Sequence, residues 1–306
     1  MKRMYAVDAN RMFLLSIAGS ELLLYAVSVA GLREQMLLQL LAEVCMVLPC
    51  VAYLFVQRRS VKEGIRLQCI GWKSWVLLVP LALCVNRVAE FINAVSRLFT
   101  TNTIGSYMAE LITGYPFTVA FFVIAVVPAL CEEWIFRGIL YDGYKRSSAV
   151  ATTVLTALLF GLMHMNWNQF FYAFFVGLVF AVINEVTGSI LPSVLMHLYM
   201  NGRSVVLLYL TEEVTKGQAA AVTELVAESG GFFIRQLLPG TIFAFVGGSV
   251  LFVLLLLCNG GADRCRELFH KNRDGEDKEA GSVFRTIISP ELIIGILVCI
   301  AFMVWK

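Results

Sequence analysis

Residues 116–139 read PFTVAFFVIAVVPALCEEWIFRGI. The run is apolar and free of charge until Glu132, and it is long enough to cross a hydrocarbon core of about 30 Å as an α-helix. Two adjacent carboxylates and one arginine then follow inside the same apolar run. The stretch therefore predicts a membrane helix that carries ionisable groups in its interior.

The rest of the chain has the same apolar character. Of its 306 residues, 59% are apolar and 15% are charged, and the mean hydropathy is +0.78. A soluble domain needs polar faces on most helices, and a disordered chain needs far more polar residues. This composition excludes both classes, and it excludes a nucleic-acid partner recruited by charge, since the net charge is only +2. We expect an all-α polytopic membrane protein whose main partner is lipid.

Nine apolar runs predict membrane-spanning helices, and a count of eight or ten is the alternative. We expect about eight to nine crossings within a single integral membrane domain, residues 1–306, because no internal repeat divides the chain. The runs lie at 12–32, 36–56, 74–96, 116–139, 149–165, 168–187, 189–210, 232–258 and 288–305.

The distribution of basic residues predicts the orientation. With the N-terminus in the cytosol, sixteen Lys and Arg residues fall in cytosolic segments and four fall on the opposite side: Arg33, Arg97, Lys216 and Lys306. Cytosolic loops carry an excess of Lys and Arg, so we expect a cytosolic N-terminus. Segment 259–286 then becomes a cytosolic loop rich in charges of both signs.

The charged cluster in the fourth run divides into two parts. Glu133 and Arg137 stand four residues apart, on one helical face, and can form an ion pair. Neighbouring residues point about 100° apart on a helix, so Glu132 is left without a local partner. A desolvated, unpaired carboxylate is a competent proton acceptor. The alternative is a purely structural network in which both glutamates share Arg137.

Two of the three histidines lie in later apolar runs. Phe160 precedes His164 by one turn, and Asn201 follows His197 by one turn. The third histidine, His270, falls in the charged loop, where we expect no function. Isolated charges in other runs indicate structural roles, with a local pair between Arg87 and Glu90; the others are Glu21, Glu43 and Glu185.

Three motifs on separate helices resemble those of the CAAX protease and bacteriocin-processing family, also called Abi or Rce1-like. They are Glu132-Glu133-Xaa3-Arg137, Phe160-Xaa3-His164 and His197-Xaa3-Asn201. The resemblance covers about residues 116–210 as a catalytic core. Spans 12–96 and 232–305 lie outside it.

The resemblance implies an intramembrane endopeptidase that acts on a membrane-associated peptide or protein. Glu132 would be the catalytic carboxylate, with His164 as its partner in activating a water. His197 and Asn201 would donate hydrogen bonds to the developing oxyanion.

Three further residues would support this site, according to the same resemblance. Glu133 and Arg137 would orient the helix and hold Glu132 in place, and Phe160 would line the cavity.

The sequence leaves open whether the site binds a metal ion. Glu132, His164 and His197 could bind Zn²⁺ with a fourth position left for water. A metal-free reaction with a glutamate-activated water is equally consistent with these residues, because no HExxH motif is present.

Two other functions fit a membrane protein with such a cluster. One is a non-catalytic bacteriocin immunity or chaperone-like protein, and the less favoured one is a proton-coupled transporter, which would require repeated halves. Short loops and the lack of an Asn-Xaa-Ser/Thr sequon favour a bacterial plasma membrane.

The predicted span limits leave a discrepancy in depth. They place Glu132 and His197 about 10–12 Å from the cytosolic boundary, at about 1.5 Å per residue, and His164 near the outer boundary. A tilt of the fifth helix, a loop dipping into the bilayer or shifted helix limits would resolve it.

Overall fold

The computed structural model describes residues 5–58, 66–100, 108, 111, 114–145, 148–215, 230–260 and 287–305, without the side chains of 212–215 and 230–233. Except for residues 259 and 260, the charged loop predicted over 259–286 lies outside the described residues, as does His270.

Helices account for nearly all of the described chain, and no strand occurs in it. The predicted all-α fold is confirmed. The helices are α1 (Ala6–Val29), α2 (Gln35–Val56), α3 (Trp72–Ser96), α4 (Phe117–Tyr144), α5 (Ala149–Met163), α6 (Trp167–Thr187), α7 (Leu191–Thr215), α8 (Gly230–Cys258) and α9 (Pro290–Trp305).

Each predicted run overlaps one of these helices. Among the described residues, six helices are long and apolar enough to cross a membrane by length and composition: α1, α2, α3, α4, α6 and α8. The helices α5 and α9 are apolar but shorter. Although α7 has 25 residues, polar side chains such as His197, Asn201 and Arg203 reduce its apolar character. The chain is an integral membrane protein, and the cytosolic N-terminus stays a prediction.

Large apolar side chains on the outside of the bundle fit a lipid environment. Phe55, Phe243 and Trp305 are 84%, 81% and 92% exposed. A soluble protein rarely leaves contiguous apolar surface of this kind in water, whereas lipid tails solvate it without cost.

Two apolar clusters pack the helices around α4. One joins α1, α2, α5 and α9 to the second half of α4, and the other joins α3 and α8 to α6 and α7. The additional N-terminal and C-terminal helices are therefore packed onto the predicted core from both sides.

The central helix α4 is irregular. Phe122–Val126 and Trp134–Leu140 are π-helical and flank the α-helical stretch Val127–Glu133. Pro128 has no N–H group, so the carbonyl of Ile124, four residues earlier, lacks its α-helical donor. Such local widening is common at functional sites.

The short helix α5 brings His164 close to the charged cluster of α4. Its 15 residues span about 22 Å, whereas the 28 residues of α4 span about 42 Å at 1.5 Å per residue. Near the end of α5, the ring of Phe160 lies 5.4 Å from that of Phe136 in the second half of α4. The depth of His164 in the membrane stays a prediction.

A buried polar contact ties α1 to the segment before α9. The side-chain amide of Asn10 is fully buried and donates to the Ile287 carbonyl at 2.7 Å and to Ser289 Oγ at 3.0 Å. The hydroxyl of Tyr144 donates to Asn10 Oδ1. One side chain thus links α1, α4 and α9.

We expect Asn10→Leu to destabilise the protein by about 1–3 kcal/mol, because it leaves the Ile287 carbonyl and the Tyr144 hydroxyl buried without partners. Thermal unfolding of purified protein in detergent measures the effect. Gln35→Leu, the same kind of change at an exposed position, is the control. Equal unfolding temperatures for Asn10→Leu and this control would contradict the structural role of Asn10.

Candidate active site

The helices α1, α2, α4, α5, α6 and α7 enclose a cavity of about 520 Å³. Five of the seven predicted site residues contribute to its lining: Glu132, Phe160, His164, His197 and Asn201. The other two, Glu133 and Arg137, are buried beside it. The structure therefore brings the three sequence motifs together at one place.

Glu133 is the most enclosed charge of the site, with no exposed surface. Its Oε1 atom accepts from Arg137 Nη1 at 2.9 Å and from His197 Nδ1 at 3.0 Å. The predicted pair between Glu133 and Arg137 is present. A buried carboxylate requires such a partner because its desolvation is otherwise uncompensated.

The hydrogen bonds of both histidines determine which ring nitrogen faces the cavity. A carboxylate and a carbonyl can only accept, so the Nδ1 atoms of His197 and His164 must each carry a hydrogen. His197 Nδ1 donates to Glu133, and His164 Nδ1 donates to the Phe160 carbonyl at 2.8 Å. The Nε2 atom of each ring is thereby left for chemistry; that of His197 lies 3.9 Å from Glu132 Oε2.

Glu132 differs from its neighbour in having no Lys or Arg partner among the described residues, whereas Glu133 pairs with Arg137. It is 5% exposed, and the carboxyl groups of Glu43 and Glu133 lie near it, that of Glu43 within hydrogen-bonding distance. No N–H or hydroxyl donor reaches Glu132 Oε2 among the described residues. This oxygen can therefore accept a hydrogen bond from a bound water.

Phe160 has a larger role than the predicted lining of the cavity. Its ring meets those of His164 and His197 edge-on, at centroid distances of 5.1 and 5.9 Å. The guanidinium of Arg137 lies over the same ring at 4.1 Å. A cation over an aromatic face is attracted by the ring quadrupole. This contact joins distant parts of the chain, so no local spacing could have revealed it.

Asn201 is already engaged by the backbone of α4. Its Nδ2 donates at 3.2 Å to the Ile124 carbonyl, the group that Pro128 leaves without its helical donor. One amide hydrogen of Asn201 is thus used, and the second is available for a substrate.

Two residues to which the sequence analysis assigned structural roles also contribute to the cavity. Glu21 of α1 and Glu43 of α2 both line it. A usable signal was present for the second: Gln35, Gln39 and Glu43 recur every four residues and form a polar stripe on an otherwise apolar helix.

The remaining isolated charges have the structural partners that we expected. Arg87 and Glu90 pair at 3.3 Å, and Arg203 adds a second contact to Glu90 at 2.6 Å. Glu185 pairs with Arg66 at the start of the chain segment before α3.

Zinc binding by Glu132, His164 and His197 stays a prediction. Among the described residues, no group of three or more His, Cys, Asp or Glu side chains is arranged to hold an ion. Glu132, His164 and His197 share the cavity without forming such a group.

Residues 114–203 match the family described as type II CAAX prenyl endopeptidase Rce1-like. The match confirms the resemblance seen in the motifs. It contains all seven predicted site residues and excludes Glu21, Gln39 and Glu43. No curated protein and no solved structure matches the chain.

We expect Arg137→Ala to lower the free energy of unfolding by about 3–5 kcal/mol and to reduce folded yield, because it strands the buried Glu133 carboxylate. Arg87→Ala, which removes a half-exposed cation from its pair with Glu90, should cost about 1 kcal/mol or less. Unfolding in a denaturant series compares the two variants. Similar losses of unfolding free energy in the two variants would show that the Glu133–Arg137 pair stabilises the protein no more than a half-exposed pair does.

Proposed function

We propose that the chain is an intramembrane endopeptidase that hydrolyses a peptide bond of a membrane-associated peptide or protein, with a water activated by Glu132. One observation carries this proposal: a carboxyl group without a Lys or Arg partner among the described residues lines a cavity together with two histidines whose Nε2 atoms are unused. The match to an endopeptidase family supports the same reaction class.

Glu132 and His164 supply the nucleophile. The carboxylate of Glu132 accepts a proton from water, while the bare His164 Nε2 accepts the hydrogen bond that orients this water. The water oxygen bonds to the scissile carbonyl carbon, and the carbonyl electron pair moves to its oxygen.

His197 and Asn201 stabilise the resulting oxyanion. Asn201 donates its second amide hydrogen. His197 donates from Nε2 in its doubly protonated form, whose charge is offset by Glu133 at Nδ1. The carbon–nitrogen bond then breaks, and the proton held by Glu132 passes to the leaving nitrogen. The products are a carboxylic acid and an amine, and Glu132 is again a carboxylate.

No step in this sequence requires a metal ion, and the ligand geometry favours this route over the zinc-dependent one. We further propose that the protein resides in a bacterial plasma membrane and acts on bacteriocin-like or signalling peptides. Chemistry at a buried cavity suits such substrates because they partition into the bilayer.

We expect Glu132→Gln to abolish cleavage with little loss of folded protein, since Gln has the size of Glu and Glu132 has no ion pair with Lys or Arg to lose among the described residues. A quantitative survey of new peptide termini in membranes and medium compares it with the wild type at matched expression. Glu34→Gln, on the outer end of α2, and His270→Ala are controls that should keep every cleavage.

Termini that depend on the wild-type Glu132 would identify the substrates. Identical sets of termini, under conditions in which both proteins are expressed, would rule out the protease. They would favour the immunity or chaperone-like function instead.

A further inference from the structure

One wall of the cavity comes from helices outside the matched segment. Four residues of α1 and four of α2 line the cavity. Each set has the i, i+3, i+4, i+7 spacing of a single helical face. They are Ile17, Ser20, Glu21 and Leu24, and Gln39, Ala42, Glu43 and Met46.

The described lining of the cavity is acidic. The neighbouring carboxyl groups of Glu43 and Glu132 both contribute to it, and this lining includes no Lys or Arg side chain. Arg137, the nearby buried cation, is engaged by Glu133. A low-dielectric cavity with carboxylates of one sign attracts a cation strongly.

Glu43 shows where that cation would bind. Its side chain is 3% exposed, and its Oε1 accepts from Gln39 Nε2 at 3.4 Å. Its Oε2 has no N–H or hydroxyl donor among the described residues, and the carboxyl group of Glu132, within hydrogen-bonding distance of that of Glu43, lines the same cavity. A buried charge without a partner costs several kcal/mol, so a ligand that supplies a donor and a positive charge would be bound favourably.

We propose that Glu43 and Gln39 form a subsite for a cationic side chain of the substrate, Lys or Arg, close to the bond that is cut. A guanidinium presents five donors and an ammonium three, enough to reach Glu43 Oε2 and the amide oxygen of Gln39 together. The inference rests on the proposed peptidase activity for its substrate, and it makes α1 and α2 the source of specificity.

Binding can be tested without cleavage. Hexylguanidinium is added to the purified full-length chain in lipid nanodiscs, with hexylurea as its neutral counterpart of similar shape. We expect hexylguanidinium alone to raise the unfolding temperature of the wild type, by about 2–4 °C at saturation. The shift should disappear in Glu43→Gln and persist in Glu34→Gln, whose side chain caps the same helix outside the cavity. Equal shifts with both compounds, or a full shift in Glu43→Gln, would overturn the subsite.

Cleavage provides a second test. A peptide cut by the wild type is synthesised with its basic residue as Lys or as the uncharged Nε-acetyl-lysine. For the wild type, we expect kcat/KM to fall about tenfold or more on acetylation, mainly through KM. The ratio of kcat/KM for the Lys peptide to kcat/KM for the acetyl-lysine peptide should approach one in Glu43→Gln. In Glu34→Gln, this ratio should equal that of the wild type.

The outcomes separate the subsite from the activity. Cleavage sites without nearby basic residues would refute the subsite and leave the peptidase intact. Guanidinium binding that depends on Glu43, in a chain that generates no new termini, would refute the peptidase and leave the subsite intact.

Discussion

The buried carboxylate of Glu133 is the constraint on which the rest of the site depends. It has no exposed surface, so its charge persists in the bundle only because Arg137 and His197 both donate to it. The contact with His197 ties α4 to α7. Arg137 also lies over the ring of Phe160, which brings α5 to the same point. Three helices that carry the chemistry are thus held by one charge and its partners.

This arrangement explains how two adjacent glutamates acquire different functions. Glu133 accepts hydrogen bonds from Arg137 and His197, whereas Glu132, about 100° away on the helix, lines the cavity beside the carboxyl group of Glu43. Because Glu133 accepts a hydrogen bond from His197, the ring of His197 carries a hydrogen on Nδ1. A reactive carboxylate and an oriented histidine therefore result from one structural ion pair, and the match to an endopeptidase family agrees with that chemistry.

The features that depend on nearest neighbours along a helix could be predicted from the sequence. Apolar runs locate the nine helices of the described residues, and the four-residue spacing of Glu133 and Arg137 indicates their pair. Features that depend on tertiary packing could not be predicted. The length of α5, and hence the position of His164, follows from where the chain turns inside the bundle. The polar stripe of α2 is visible in the sequence, but only the packing of α2 against α4 brings Glu43 beside Glu132.

The location of the hydrogen on His197 tests this view of the site most directly. The chain has three histidines, so nitrogen NMR of ¹⁵N-histidine-labelled protein in lipid bilayers gives a simple spectrum, which His270→Ala and His164→Gln assign. We expect a hydrogen bonded to Nδ1 of His197, because Glu133 accepts from that atom. A bare Nδ1 with the hydrogen on Nε2 would contradict the contact between Glu133 and His197 and the separate roles of the two glutamates.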